Sequence, residues 1–267
     1  MKHLVNVSSF LVVVSLAVVT GCSSSSESPK DGGGNTTGAA GAAGIALTPD
    51  PTGWVDRTVT STAMIQGAWY AYGDGIGPDG TAAMGDCVKL GMHQPSECSV
   101  INTPSFGSFP NTAGKLCTKG TAAKVIALVG GTMPDYNNIW GAGIGFDLNN
   151  SGGDAGVKGP YNATMNGVTG IGFTIDKVPL AGMRVEFPTV TTTAAAAFWD
   201  GLNMTSPVKV GRNEIRWTAV KGPFYLTTTP PAFDPTTILS LQFHVPSGTA
   251  ADAPYEFCVS DVTALTN

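Results

Sequence analysis

The sequence contains little charge and few of the residues on which common catalytic motifs depend. Asp, Glu, Lys and Arg make up 12% of the 267 residues, about half the share of an average soluble domain, and there are three histidines. It has no Gly-x-Ser-x-Gly elbow, no HExxH helix, no phosphate-binding loop and no GxGxxG between a strand and a helix. These absences disfavour serine hydrolases, zinc peptidases and nucleotide-binding enzymes. A net charge of −5 also gives no reason to expect a nucleic-acid partner.

Glutamate is scarce as well, with residues only at positions 27, 97, 186, 214 and 256. A glycosidase needs two carboxylates on either side of the scissile bond. Glu186 and Glu214 are expected to face each other on one sheet. A glycoside hydrolase that uses these two residues therefore remains an alternative function, although we expect the protein to have no catalytic activity.

The one long apolar run, residues 4–19, is shorter than most membrane-spanning helices. It follows Lys2 and His3 and leads to Gly21 and Cys22, a pattern typical of a secretory signal. A small residue followed by Cys resembles a bacterial lipoprotein signal. The resemblance implies that residues 1–21 are removed and that Cys22 is acylated with chains such as palmitate, in the cell envelope. The non-acidic Ser23 favours the outer membrane or cell surface. The alternative is an ordinary signal peptide with an incidental Cys.

The remaining cysteines are Cys87, Cys98, Cys117 and Cys258. An even number in an exported protein predicts two disulfides, and four cysteines allow three pairings. Local pairing favours Cys87–Cys98, with Cys117–Cys258 joining an early segment to the last strand. There is no CxxC pair, which disfavours zinc.

Composition divides the mature chain into two parts. Residues 22–52 are rich in Ser, Gly and Ala and are predicted to be a flexible tether. Residues 53–267 are predicted to form a single β-sandwich domain, with a cysteine-containing loop region at about 73–122.

Apolar and polar residues alternate with period two along much of this domain, which predicts half-buried strands. No amphipathic helix of ordinary length is present, and residues 194–199 form a helical turn at most. Spaced strands with one solvated face predict an antiparallel sandwich. The predicted strands cover residues 65–72, 143–149, 170–176, 183–188, 214–220, 238–245 and 255–265, with a further short one at 124–129.

The order of these segments resembles the galactose-binding-like jelly roll of many bacterial carbohydrate-binding modules. The residues that carry the resemblance are Tyr72-Gly73-Asp74, residues 140–146, residues 167–173, residues 183–188, residues 234–243 and residues 257–262. The resemblance implies an all-β antiparallel jelly-roll sandwich that binds glycan. It also implies a structural calcium ion between the first and last strands, with Asp74 and Asp261 as ligands.

Alternation predicts a polar surface suited to sugar hydroxyls, beside aromatic residues that can stack on a sugar ring. An alternative is that the charged residues form ordinary surface salt bridges in a structural or adhesive envelope protein. Trp217 follows the apolar register and is expected in the core. The predicted ligand-binding residues are Arg184, Glu186, Gln242, His244, Asp147, Trp69 and Trp140; Glu214, Arg216 and Asn149 are expected on the same surface, and Tyr72 and Trp199 are further aromatic candidates.

Overall fold

A computed structural model of the protein describes residues 44–75, 87, 93–102, 111–112, 114–128, 130–152, 158–190, 202–204, 207–222 and 232–267. Cys22, Trp199 and the predicted helical turn at 194–199 lie outside the described residues. Within the described ranges, no helix combines the length and the apolar character needed to cross a membrane.

Nearly all regular structure in the described residues is β-strand. One four-residue helix, α1 (Arg57–Thr60), begins at Asp56, whose carboxylate accepts the Thr58 N–H. The strands are β1 (Gly44–Ala46), β2 (Trp54–Val55), β3 (Gly67–Gly73), β4 (Val100–Ile101), β5 (Asn111–Thr112), β6 (Lys115–Ala122), β7 (Gly141–Asp147), β8 (Gly170–Ile175), β9 (Arg184–Phe187), β10 (Leu202–Met204), β11 (Gly211–Arg216), β12 (Val220–Lys221), β13 (Ser240–Pro246) and β14 (Ala253–Leu265).

The strands form two antiparallel sheets. The first sheet has the order β11-β8-β14-β6-β4, with β1 beside β14 and β5 beside β6, and the second has the order β12-β10-β9-β13-β7-β3-β2. Along the chain, β6, β8, β11 and β14 of the first sheet are interleaved with β7, the consecutive pair β9 and β10, and β13 of the second. Their spatial orders, β6-β14-β8-β11 and β7-β13-β9-β10, are those of a jelly roll. The predicted all-β antiparallel jelly-roll sandwich is confirmed.

Large apolar side chains from both sheets fill the space between them. The ring of Trp69 stacks on Phe146 at 5.0 Å, and Phe173 of the first sheet meets Phe243 of the second edge-on at 4.9 Å. Trp217, which was expected in the core, is partly buried and packs against it. Because apolar residues alternate with polar ones, each sheet buries one face and turns the other outward.

The sandwich begins earlier in the chain than the sequence predicted. β1 pairs with the end of β14, with Gly44 opposite Leu265, and Leu47 is buried in the core. The predicted tether of residues 22–52 therefore includes residues that belong to the sandwich. Apart from small residues, this segment offers only Ile45 and Leu47 as large apolar side chains, which is too weak an apolar pattern to reveal the strand.

Two predicted strands also differ from the structure. Residues 124–128 form isolated bridges only, at Lys124 and Ala127, and not a strand. The strand predicted at 214–220 ends at Arg216, where a 3-10 turn over Trp217–Ala219 leads the chain into β12 of the opposite sheet. A strand that changes sheets must leave its hydrogen-bonded ladder, which explains the break.

Both predicted disulfides are confirmed. Cys87 is bonded to Cys98, and their Cα atoms are 6.0 Å apart. Cys117 of β6 is bonded to Cys258, which lies directly opposite on β14. The second bond therefore fixes the register of two central strands of the first sheet.

Candidate functional site

The outward side of the second sheet carries a continuous set of polar and aromatic side chains. It arises from alternation, since each residue that points into the core is followed by one that points out. We call this surface the outer face. It comprises Tyr70 and Tyr72 of β3; Gly143, Gly145 and Asp147 of β7; Ser240, Gln242 and His244 of β13; Arg184 and Glu186 of β9; and Lys221 of β12.

Strand register arranges the outer face in transverse rows. One row runs through Arg184, His244, Gly143 and Tyr72, and the next through Glu186, Gln242, Gly145 and Tyr70. A Cβ atom on Gly145 would lie 2.5 Å from Cζ of Tyr70. The glycine therefore allows the Tyr70 ring to lie directly against β7.

Trp140 forms an aromatic cluster at one end of the outer face. Its ring stacks with Tyr72 at 5.9 Å and meets the His244 ring edge-on at 5.6 Å. The Asp74 carboxylate accepts the backbone N–H groups of Trp140 and Gly141, each at 2.6 Å. The half-buried Trp140 ring is thus held in place from its backbone and from both neighbouring rings.

Glu186 and His244 form a buried hydrogen-bonded pair beneath this cluster. His244 Nδ1 is 2.9 Å from Glu186 Oε1, and its Nε2 is 3.1 Å from the carbonyl oxygen of Trp140. A carbonyl only accepts, so Nε2 carries hydrogen, and the Nδ1–carboxylate contact shares one further proton. The pair has no net charge whichever of its two atoms holds that proton. Both residues are only 2% exposed, so they support Trp140 from below.

A second polar group surrounds Tyr70. Lys158 Nζ lies 4.6 Å from the centre of the Tyr70 ring and 3.0 Å from Asp147 Oδ1. Burial raises the pKa of Asp147, while the Lys158 cation and the Asn150 amide oppose that change. Burial and the nearby Asp147 charge raise the pKa of Tyr70, so its phenol stays protonated at neutral pH.

The accessible part of the outer face is polar and aromatic. Trp140, Arg184 and Gln242 are half-buried, whereas Lys221 is exposed. The side chain of Lys158 is 52% exposed. A ligand would therefore meet hydrogen-bond donors, an amide and an indole ring, on top of pairs that are already satisfied.

The structure brings most of the predicted ligand-binding residues together. The predicted residues on or beside the outer face are Arg184, Glu186, Gln242, His244, Asp147 and Trp140; Asn149 lies just beyond the end of β7. Trp69 is different, because its ring is only 1% exposed and lies inside the sandwich. Its prediction as a stacking platform is wrong, since Tyr70 and not Trp69 is in the outward phase of β3.

Sequence reasoning missed Tyr70, Lys158, Ser240 and Lys221. The Ser240 and Gln242 side chains act to lower the pKa of Tyr70, and Ser240 shares the outward phase of β13 with Gln242. Alternation was therefore a signal that would have found Ser240. Lys158 comes from a Gly-rich loop, where no periodic pattern indicates which surface it approaches.

The two residues predicted to bind calcium together lie far apart. Asp74 is fully buried, and its oxygens accept backbone N–H groups of Ser99, Trp140 and Gly141. Asp74 lies close to Tyr255 of β14. Asp261 is six residues further along the same strand, which corresponds to about 20 Å of extended chain. The predicted shared site is wrong for this reason. Within the described residues there is no cluster of metal-ligating side chains.

The carboxylates predicted to face each other also lie on different sheets. Glu186 is on β9 of the second sheet, whereas Glu214 and Arg216 are on β11 of the first. Glu214 lies on the opposite side of the sandwich from the outer face, where its Oε1 is 3.7 Å from Nε of Arg212. The prediction that Glu186, Glu214 and Arg216 share one surface is wrong, so Glu186 and Glu214 do not form a glycosidase pair.

A cleft of about 400 Å³ lies on the first sheet. Lys119, Lys177 and Tyr255 contribute to its walls, together with Leu180, which is fully exposed. No accessible ring forms a platform there, because Tyr255 is only 4% exposed. The outer face of the second sheet combines polar groups with an accessible indole, and we therefore take it as the candidate site.

Comparisons with known proteins concern mainly the fold. No protein-family model and no curated protein matches the sequence. The structure is similar to the family 11 carbohydrate-binding module of the cellulosomal cellulase Lic26A-Cel5E of Clostridium thermocellum, with a TM-score of 0.30 and 14% identity over 60% of this chain and 91% of that chain. It is also similar to a solution structure of CtCBM11, with a TM-score of 0.26 and 14% identity over 58% of this chain and 86% of that one. At these TM-scores the likeness carries no argument about the ligand of this chain.

Proposed function

We propose that the protein binds glycan on the outer face of the second sheet, without catalysing a reaction, as a lipid-anchored protein of the cell envelope. The observation that carries the proposal is the combination of a fixed, half-buried Trp140 ring with the side chains of Arg184 and Gln242. Sugar rings offer hydroxyl groups at their edges and a patch of C–H groups on each face. A surface that binds them must present planar polar groups beside a ring.

The network beneath this surface supports the proposal on energetic grounds. Glu186 and His244 already satisfy each other, and Asp147 is paired with Lys158. Their side chains therefore need not be ordered when a ligand binds, which lowers the entropic cost of association. The same pairing is our reason for proposing no catalysis, because neither carboxylate is free to act as acid or base.

A glycan array of plant, bacterial and host saccharides tests the proposal with the purified protein. We expect binding that weakens about tenfold or more in Trp140→Ala and in Gln242→Ala. Thr121→Ala, on the outward side of the first sheet, is the matched control and should bind normally. Prolonged incubation with the bound glycan should release no reducing ends. Absence of binding to every glycan would reject the proposal.

We also propose lipidation of Cys22, which rests on the signal-like sequence before it. Cells supplied with labelled palmitate should incorporate the label into the protein and not into a Cys22→Ser variant. Fractionation should then recover the protein with the outer membrane or at the cell surface. An unlabelled protein released into the medium would contradict the anchor while leaving glycan binding untouched.

A structural or adhesive envelope protein is the second candidate. The near-complete burial of Glu186, His244 and Asp147 favours it, because buried polar pairs can serve fold specificity alone. Under this alternative, Trp140→Ala would lower the stability of the protein, and no glycan would bind to either form.

A further inference from the structure

We propose that the Cys87–Cys98 disulfide and the His93–Asp135 pair position the Trp140 ring for glycan binding. This inference rests on the proposed function and concerns how the proposed site is held in shape. The four supporting residues are only 0–7% exposed, so they act through Trp140 and do not touch a ligand themselves. Three separate connections link them to the backbone at Trp140.

The first connection is a small hydrophobic core that is separate from the one between the sheets. It includes Ile139, which is fully buried and directly precedes Trp140. Both cysteines of the disulfide belong to the same cluster, whose buried members are Cys87, Cys98, Ala123, Val125 and Ile139. Loss of the disulfide would therefore loosen the packing that holds Ile139, while the main core stays intact.

The second connection is the Asp74 carboxylate, which links the residue after Cys98 to the backbone of Trp140. One oxygen of Asp74 accepts the N–H group of Ser99 at 2.9 Å. The other oxygen accepts the N–H groups of Trp140 and Gly141, each at 2.6 Å. Because Ser99 directly follows Cys98, the disulfide restrains one side of the bridge that holds Trp140 on the other.

The third connection is the hydrogen bond between His93 and Asp135. Burial raises the pKa of Asp135, but hydrogen bonds from Asn138 and His93 outweigh it, so the pKa is lowered and the carboxylate is ionised at neutral pH. Its Oδ2 lies 2.9 Å from His93 Nε2, which must carry the hydrogen because a carboxylate only accepts. Asp135 begins the turn before Trp140, where its carbonyl oxygen accepts the Ile139 N–H at 3.0 Å. His93 lies between the two cysteines in the sequence, so this bond joins the disulfide segment to that turn.

These connections limit the freedom of the Trp140 ring before a glycan binds. The ring is half-buried, and Tyr72 and His244 contact it on the outer face. If its backbone could move, stacking on a sugar would first have to order the ring and its turn, which raises the entropic cost of association. Removing a connection should therefore weaken binding, although every group that touches the glycan is still present.

The two disulfides of the protein provide a matched comparison on the glycan array. Replacing Cys87 and Cys98 with Ser should weaken binding about fivefold or more, the effect of leaving one further side chain to be ordered. Replacing Cys117 and Cys258 with Ser is the control, because that bond lies on the first sheet. It closes a loop with a sequence separation of 141 against 11, so its loss should lower Tm more and yet leave the affinity unchanged. Equal losses of affinity in the two folded variants would overturn the inference.

The indole N–H resonance of Trp140 provides a second measurement, one that needs no glycan. In the variant without the Cys87–Cys98 bond this resonance should move or broaden, whereas that of Trp69 in the main core should stay in place. An unmoved Trp140 resonance would overturn the inference and leave the proposed function intact. A wild-type protein that binds no glycan on the array would reject the proposed function, while the resonance would still decide whether the disulfide positions Trp140.

Single substitutions keep the inference testable should either double variant fold poorly. His93→Ala should weaken glycan binding and move the Trp140 resonance, and His93→Gln should restore both, because its amide can donate to Asp135 in place of Nε2. Asn213→Ala is the matched control, since Asn213 is also 5% exposed and hydrogen-bonded but lies on the first sheet. The same loss of affinity in Asn213→Ala as in His93→Ala, or no rescue by His93→Gln, would contradict a positioning role for His93.

Discussion

Replacing Gly145 with Ala should destabilise the protein through Tyr70. The new methyl group would lie 2.5–2.6 Å from three atoms of the Tyr70 side chain, so the ring must move away from β7. Such overpacking costs about 1–3 kcal/mol, and the movement also removes the Lys158 cation–π contact, about 0.5–1 kcal/mol. The lower unfolded-state entropy of Ala offsets about 0.5–1 kcal/mol. The expected net loss is about 2 kcal/mol.

Equilibrium unfolding in urea, followed by tryptophan fluorescence, measures this loss. Gly152→Ala is the control, since a Cβ at Gly152 meets no atom within 4 Å, and its effect should stay within about 0.5 kcal/mol. In a Tyr70→Ala background the ring is absent, so Gly145→Ala should then cost little. A loss from Gly145→Ala that is equally large with and without the Tyr70 ring would refute the reasoning.

Three further properties of the fold lead to testable outcomes. Loss of the Cys117–Cys258 bond, in a double Ser variant, should lower the free energy of unfolding by about 3–5 kcal/mol in denaturant titrations, because the bond closes a loop with a sequence separation of 141; an unchanged midpoint would contradict this. Hydrogen bonds from Thr side chains and the backbone lower the pKa of Asp234, so the stability that its carboxylate contributes should be lost as the pH falls below about 4. In Asp234→Asn, the free energy of unfolding should depend less on pH in this acidic range. A chelator should leave Tm unchanged, since backbone N–H groups occupy the Asp74 carboxylate and Asp261 lies far from it.

Much of the sandwich was predictable because its strands alternate large apolar and polar residues. β13 alternates Leu241, Phe243 and Val245 with polar residues, and β8 alternates Ile171 and Phe173 with Gly and Thr. Such alternation has one physical interpretation, a strand with one buried face. It predicted which residues of β9 and β13 point outward without knowledge of their neighbours.

β6 was missed because Leu116 is its only large inward residue. Thr118, Gly120 and Ala122 point into the sandwich and give no apolar pattern. A Cβ atom on Gly120 would lie 2.1 Å from the carbonyl oxygen of Val100. The close approach of β4 therefore requires a glycine at this position, which only the packed structure reveals.

The stacking residue on β3 could not be chosen from sequence. Trp69, Tyr70, Ala71 and Tyr72 are apolar or aromatic at every position, so alternation assigns no phase. The phase is set by tertiary packing, because Trp69 fits between Phe146 and Phe243 in the core. Tyr70 and Tyr72 then lie on the outer face.

The indole N–H resonances of the tryptophans test the central claim most directly. The purified, ¹⁵N-labelled protein would be titrated with the glycan that it binds most tightly, and the resonances assigned by substitution. We predict that the Trp140 indole and the Gln242 side-chain amide shift, whereas the Trp69 indole, buried in the core, does not. Shifts confined to the first sheet, around Lys119 and Lys177, or no shifts with any glycan, would contradict a glycan site on the outer face.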